Sequence, residues 1–258
     1  MIAIVIAVGT SGPAVAAVSI IAAILGYFAA RSIVAEANAH RLGRPDNWWN
    51  PECEVCGDSL TITMVRCAYA AHPQRRANLW ITGATMLTFL LIAVGVESLW
   101  LLPAYLWFAY FSILLTVTDL DTKLIPNRIL LPATVGGVAL LGLGALFAGD
   151  LAGLVRGLLA GIAYFLVMLI LGLIARGALG FGDVKLAFFL GLFVGYIGWG
   201  NLVVAGLGSF ILGGVVAFIL VVSKRASRKD AIPFGPFMTI AAVGAVIAGN
   251  TFLDWYLG

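Results

Sequence analysis

Residues 152–175 read AGLVRGLLAGIAYFLVMLILGLIA, and Arg156 is the one charged side chain among them. A helix of this length and composition can cross a bilayer, whose hydrocarbon layer needs about 20 apolar residues. Comparable runs recur at about 4–30, 78–95, 99–117, 129–148, 184–199, 202–222 and 236–254. The chain of 258 residues is 62% hydrophobic and only 10% charged, with mean hydropathy +1.07. That is far from a soluble balance, and an aqueous core of this size could not hide so much apolar surface. The expected fold is all-α: a polytopic transmembrane helix bundle of about eight spans. The first run lacks a basic leading region and is long for a secretory signal, so it reads as a retained helix.

The charges orient the bundle. Residues 31–77 and the joins near 118–128, 176–183 and 223–235 fall on one side if the spans alternate. That side then holds all of the 15 Lys and Arg except Arg156. The opposite joins carry Glu97, Asp150 and Asp254. Such asymmetry marks the basic side as cytoplasmic. Trp80, Trp100, Trp199 and Trp255 fall near span ends, as interfacial anchors do. The net charge of +3 follows from this bias, so the expected partner is the lipid bilayer and not nucleic acid. Three parts are expected: a first transmembrane helix (1–30), a small cytoplasmic segment (31–77) and a transmembrane body (78–258). The 31 glycines are spread through the spans, where small residues let helices pack closely.

Few carboxylates lie on the cytoplasmic side of the body. Asp230 follows Arg228 and Lys229 and reads as a solvated charge. Asp119 and Asp121 end the third span in TVTDLDTKLIPNRILLP, and Asp183 opens a helix in GALGFGDVKLAFFLG (177–191). Asp183 could simply cap its helix, and Asp119 could be a solvated helix end. Together they suggest chemistry, because both belong at the same depth of the same bilayer face. Two carboxylates held close in a poorly solvated site cannot both ionise, so they share a proton and titrate as a unit. The ionised member can activate water while the protonated one polarises a peptide carbonyl. Gly177, Gly180 and Gly182 are expected to allow close backbone approach and φ > 0. Pro233, Gly235 and Pro236 interrupt the chain where the last span begins. That is an ordinary helix start, or irregular backbone lining a substrate groove.

Three motifs in order, DLDTKLIPNRI (119–129), GFGDVKLA (180–187) and IPFGPFMTIA (232–241), resemble those of the type IV prepilin peptidases, membrane aspartic proteases of the GxGD class. The resemblance covers most of the chain from about residue 78 onward. It implies that Asp119 and Asp183 are the catalytic pair, with Asp121, Gly180, Gly182, Lys185, Pro233, Gly235 and Pro236 as substrate or support residues. It also implies cleavage, after a glycine, of a short basic leader from prepilins or pseudopilins at the cytoplasmic face of the inner membrane. No cofactor is needed for that hydrolysis.

The segment 31–77 contains PDNWWNPECEVCGDSL (45–60) and then RCAYAAH. Cys53, Cys56, Cys67 and His72 read C-x2-C-x10-C-x4-H, close to structural zinc spacing. His40 is an alternative fourth ligand, and unliganded thiols are the plainer reading. Family members with two activities carry two CxxC pairs here and also methylate the new N-terminus with S-adenosylmethionine. This chain has CAYA where the second pair is expected, with Ala70 in place of a cysteine, which weighs against the methyltransferase more than the protease. The acidic residues Asp46, Glu52, Glu54 and Asp58 are solvated, or attract a basic leader. Two readings from other classes stand beside the peptidase. One is a transporter or channel, since aspartates at the membrane edge also suit ion paths. The other is a non-catalytic scaffold of pilus assembly.

Overall fold

The computed structural model describes residues 12–41, 51–53, 56, 60, 76–96, 98–174, 180–224 and 232–257. Among them are eight helices: α1 (Gly12–Arg41), α2 (Arg76–Gly95), α3 (Leu102–Thr122), α4 (Asn127–Ala148), α5 (Leu151–Ile174), α6 (Phe181–Ile197), α7 (Trp199–Val222) and α8 (Gly235–Leu257). Seven are long and apolar enough to cross a membrane. The exception is α6, with 17 residues. The chain is a multi-pass membrane protein.

Contacts divide it into two compact units, Met1–Val94 and Gly95–Gly258. In the first, Gly26 of α1 lies against the backbone of Met86, and a β-carbon there would stand 2.9 Å from its Cα. Ala30, Val34, Cys53 and Leu60 form a small apolar cluster, with Tyr27 and Ile81 packed on it. Asn38 ties the segment to α1 by donating to the carbonyl of Glu52 at 3.0 Å. α1 runs on to Arg41, past the end of its apolar run, through the helix-forming stretch VAEANAHR.

The second unit is arranged around α6. Leu186, Phe189, Leu190, Leu192 and Phe193 are fully buried, while Ile170, Leu173, Phe218 and Ile219 on α5 and α7 are more than half exposed. A soluble protein would reverse that outer surface; here lipid covers it. α5 and α6 come close enough to need glycine on both sides. A β-carbon on Gly157 would meet the Leu192 carbonyl at 2.6 Å, and one on Gly195 would meet Cβ of Ala160 at 2.0 Å. The pairs Gly157/Gly161 and Gly191/Gly195 each repeat at i, i+4, the small-residue spacing of close membrane helices.

Short connections set the helix ends. α3 stops at Lys123, which adopts φ 54 and ψ 29, its N–H returning to the Asp119 carbonyl. α4 stops at Gly149, at φ 74, and Asp150 then caps α5 by accepting the Gly153 N–H at 2.9 Å. α6 spans the depth between these ends. Lys185 near its start donates to Asn127 at the start of α4 at 3.0 Å, whereas Arg156 donates to the carbonyls of Gly195, Tyr196 and Ile197 at its finish. Arg156 therefore departs from the charge asymmetry for a local reason: its guanidinium caps carbonyls that the helix end leaves open.

Candidate active site

Asp119 and Asp183 belong to different helices and stand 64 positions apart in the sequence, yet their carboxylates are close enough to interact electrostatically. Asp119 sits in the last turn of α3 and is 4% exposed; Asp183, in the first turn of α6, is 8% exposed. No cation among the described residues acts on either carboxylate. Each instead takes one backbone amide: Gly235 N–H donates to Asp119, and Gly180 N–H donates to Asp183. Oδ2 of Asp119 is buried with no hydrogen-bond partner among the described residues.

The local structure at Asp183 combines capping and pairing. Gly180 is the N-cap of α6, at φ −67 and ψ 139, and its carbonyl accepts the Asp183 N–H at 3.0 Å. The Asp183 carboxylate returns to the Gly180 N–H, the acidic half of a capping box. A negative charge is also favoured at a helix N-terminus. Capping thus fixes the carboxylate while leaving it beside Asp119.

The glycines supply room here, not unusual dihedrals. Among the described residues the one glycine with positive φ is Gly149, so the expectation of φ > 0 at Gly180 and Gly182 is corrected; Gly177 lies outside the described residues. Close approach is what they provide. A β-carbon on Gly182 would come within 3.0 Å of Cβ of Ile125, and one on Gly180 within 3.2 Å of Oδ2 of Asp183. Gly235 is tighter still, since a β-carbon there would stand 2.6 Å from Oδ2 of Asp119. Pro236 follows it in the first turn of α8, where a missing amide costs no hydrogen bond. Pro233 precedes the helix in non-helical backbone.

The other candidates lie elsewhere. Asp121 is exposed, two positions after Asp119 and hence on another face of α3. Lys185 directs its ammonium to Asn127 and over the Phe181 ring, 4.8 Å from the centroid. It stands beside an apolar groove of about 670 Å³ between α4, α5 and α6. A second cavity, of about 310 Å³, lies at the far end by Asp150, Arg156 and Tyr196. Cys53 is buried and Cys56 exposed; Cys67 and His72 lie outside the described residues. Among the described residues no group of three His, Cys, Asp or Glu is placed to hold a metal.

Sequence reasoning missed three neighbours of the site: Ile125, which fills the space between Gly182 and Gly235, and Thr116 and Thr239, whose hydroxyls meet in a part-buried contact. The threonines had one signal, their places three residues before Asp119 and four after Gly235.

Comparison with known proteins agrees with this architecture. Residues 106–218 match the model of the type IV leader peptidase family. A protein named prepilin leader peptidase/N-methyltransferase from Aeromonas hydrophila is 30% identical over 243 residues, covering 82% of this chain and 81% of that one. Its namesake from Aeromonas salmonicida is 31% identical over 179 residues, 67% of this chain and 58% of the relative's length. The one from Bacillus subtilis is 28% identical, covering 74% of each chain. No solved structure matches. With these motifs, this helical body and relatives aligned over most of its length, the chain belongs to the type IV leader peptidase family.

Proposed function

We propose that this chain is a membrane aspartic endopeptidase that removes the basic leader of type IV prepilins or pseudopilins at the cytoplasmic face of the inner membrane. The observation that carries the reading is the approach of two buried carboxylates, distant in sequence, with no cation among the described residues acting on them. Charges so arranged are costly unless one is protonated. The pair then holds one proton, as an acid–base dyad requires.

Hydrolysis proceeds through a water molecule held between the carboxyl groups. The ionised carboxylate takes a proton from the water as its oxygen attacks the scissile carbonyl carbon. The protonated partner donates to the carbonyl oxygen, which becomes the second hydroxyl of a tetrahedral intermediate. The carbon–nitrogen bond then breaks, with proton return to the departing amine and formation of the new carboxyl group. Gly235 and Gly180 N–H groups hold the two side chains in place through these steps. The side chains and water suffice for this sequence. The basic side of the chain sets the cytoplasmic orientation.

The names of the relatives add an N-methyltransferase. Most of the cysteine-bearing segment lies outside the described residues. The carboxylate pair supports hydrolysis, and S-adenosylmethionine-dependent methylation is a second activity to be tested beside it. Reconstitution of the full chain in liposomes with a leader-bearing peptide, with and without S-adenosylmethionine, followed by mass analysis, reads the cut position and any methyl group together. Cleavage after the leader glycine that is lost in both Asp119→Asn and Asp183→Asn is expected. Normal cleavage by either variant defeats the assignment.

A further inference from the structure

The amide that holds Asp119 is itself held. Gly235 donates its N–H to the Asp119 carboxylate, while its carbonyl lies 3.1 Å from the hydroxyl of Thr239, one turn further along α8. That hydroxyl also lies 2.9 Å from the Pro236 carbonyl and 2.5 Å from the hydroxyl of Thr116. Thr116 belongs to α3, three residues before Asp119, and it reaches the Ser112 carbonyl at 2.7 Å. Thr239 is 2% exposed.

These contacts close a ring. α3 touches the first turn of α8 twice, through Asp119 to the Gly235 N–H and through Thr116 and Thr239 to the Gly235 carbonyl. A single hydrogen bond at its N–H leaves Gly235 free to rock; a second, at the carbonyl of its following peptide group, holds the residue from both sides. Hydroxyls back-bonded to the preceding turn are common and by themselves only adjust a helix. This pair differs because the two hydroxyls meet across a helix interface, in lipid-shielded surroundings, beside a carboxylate whose other oxygen has no partner among the described residues.

We infer that Thr116 and Thr239 are positioning residues: their hydroxyl contact clamps the start of α8 to α3, so that the Gly235 N–H holds the Asp119 carboxylate toward Asp183. The chemistry they serve rests on the peptidase reading above, but the clamp can be measured without it. Thr239→Val keeps the side-chain shape and removes the hydroxyl, and Thr239→Ser keeps the hydroxyl.

Amide hydrogen exchange of residues 233–238, in the full chain in detergent without substrate, tests the clamp directly. Exchange at Gly235 should rise about tenfold in Thr239→Val, as loss of one net hydrogen bond permits, and return toward wild type in Thr239→Ser. With leader-bearing peptide, Thr239→Val should lower kcat about tenfold per folded enzyme and leave KM within about twofold, an effect on positioning and not on binding. Thr116→Val, at a half-buried position, should do the same, and the double variant should be no worse than the poorer single. Unchanged Gly235 exchange in Thr239→Val overturns the clamp, as do wild-type kcat, equal defects in the Ser and Val variants, or losses that multiply in the double. Wild-type enzyme that leaves the peptide intact overturns the peptidase reading alone, because the exchange result still decides the clamp.

Discussion

Replacing Gly235 by alanine perturbs the candidate site at its tightest point. The added methyl carbon would stand 2.6 Å from Oδ2 of Asp119, 3.3 Å from its Cγ and 3.5 Å from Cδ1 of Ile125. Ordinary contact begins near 3.4 Å, so either the carboxylate or the first turn of α8 must retreat by about 0.8 Å. Moving α8 stretches the Gly235 N–H away from the carboxylate it anchors. Moving Asp119 alters its separation from Asp183, on which proton sharing depends. A displacement of about 1 Å costs on the order of 10²-fold in rate. The fold should survive, because overpacking costs about 1–3 kcal/mol against a total stability of about 5–15 kcal/mol. The expected outcome is a loss of about 100-fold in kcat on a leader-bearing peptide, measured in liposomes at matched amounts of folded protein. Gly244→Ala in the same helix is the control: nothing lies within 4 Å of a β-carbon there, and activity should be unchanged. Gly235→Ala cleaving within about threefold of wild type would refute the placement of Asp119 in the reacting pair.

Asp119→Asn and Asp183→Asn together should cleave no more slowly than either alone, because members of one catalytic unit are non-additive; a further drop of about 10²-fold in the double would indicate independent roles. Gly195→Ala forces α5 and α6 apart, with its β-carbon 2.0 Å from Cβ of Ala160. It should destabilise the protein by about 1–3 kcal/mol, read as a lowered melting midpoint, and an unchanged midpoint would mean that the interface does not need that glycine. Arg156→Met exposes the carbonyls at the end of α6 and should cost about 1.5–3 kcal/mol, the range for hydrogen bonds to charged groups. Catalysis per folded molecule should stay intact, since Arg156 lies at the far end of α6 from Asp183. Equal stability of this variant and wild type in a detergent unfolding series would contradict the capping role.

The fold was legible because apolar run length is a local property. Every apolar run read from the sequence contains or overlaps a helix, with ends shifted by the capping chemistry of Lys123, Gly149 and Gly180. The carboxylate pair was legible for a different reason. Charges are scarce in such a chain, so two of them at one membrane face stand out. What could not be read was the arrangement across helices. The glycines around Asp183 resemble turn formers in the sequence, yet Gly180 has an ordinary extended conformation, and its value lies in the missing β-carbon. Lys185 sits two positions from Asp183 in the sequence, but helical geometry turns it to Asn127. The Thr116–Thr239 contact joins residues 123 positions apart, and no local pattern encodes that pairing.

What lies beneath the carboxylates discriminates between the rival readings. An ion path or transport site would continue from Asp183 toward the opposite face, through polar or discontinuous helices near the midplane. Along α6 from Asp183 the helix is instead continuous and packs through Phe189 and Phe193 against Phe108, all fully buried, with Tyr105 at 2% exposure. Their rings pack at centroid separations of 4.9–6.4 Å, and the Tyr105 hydroxyl is occupied by the Phe193 carbonyl at 3.0 Å. α6 remains one continuous helix through this layer. This aromatic layer lies between the carboxylate at one end of α6 and the cavity at the other. A scaffold, for its part, gains nothing from two carboxylates brought together with no cation among the described residues to pair them, at several kcal/mol of desolvation. A hydrolase needs that arrangement, because the same repulsion keeps one proton available between them.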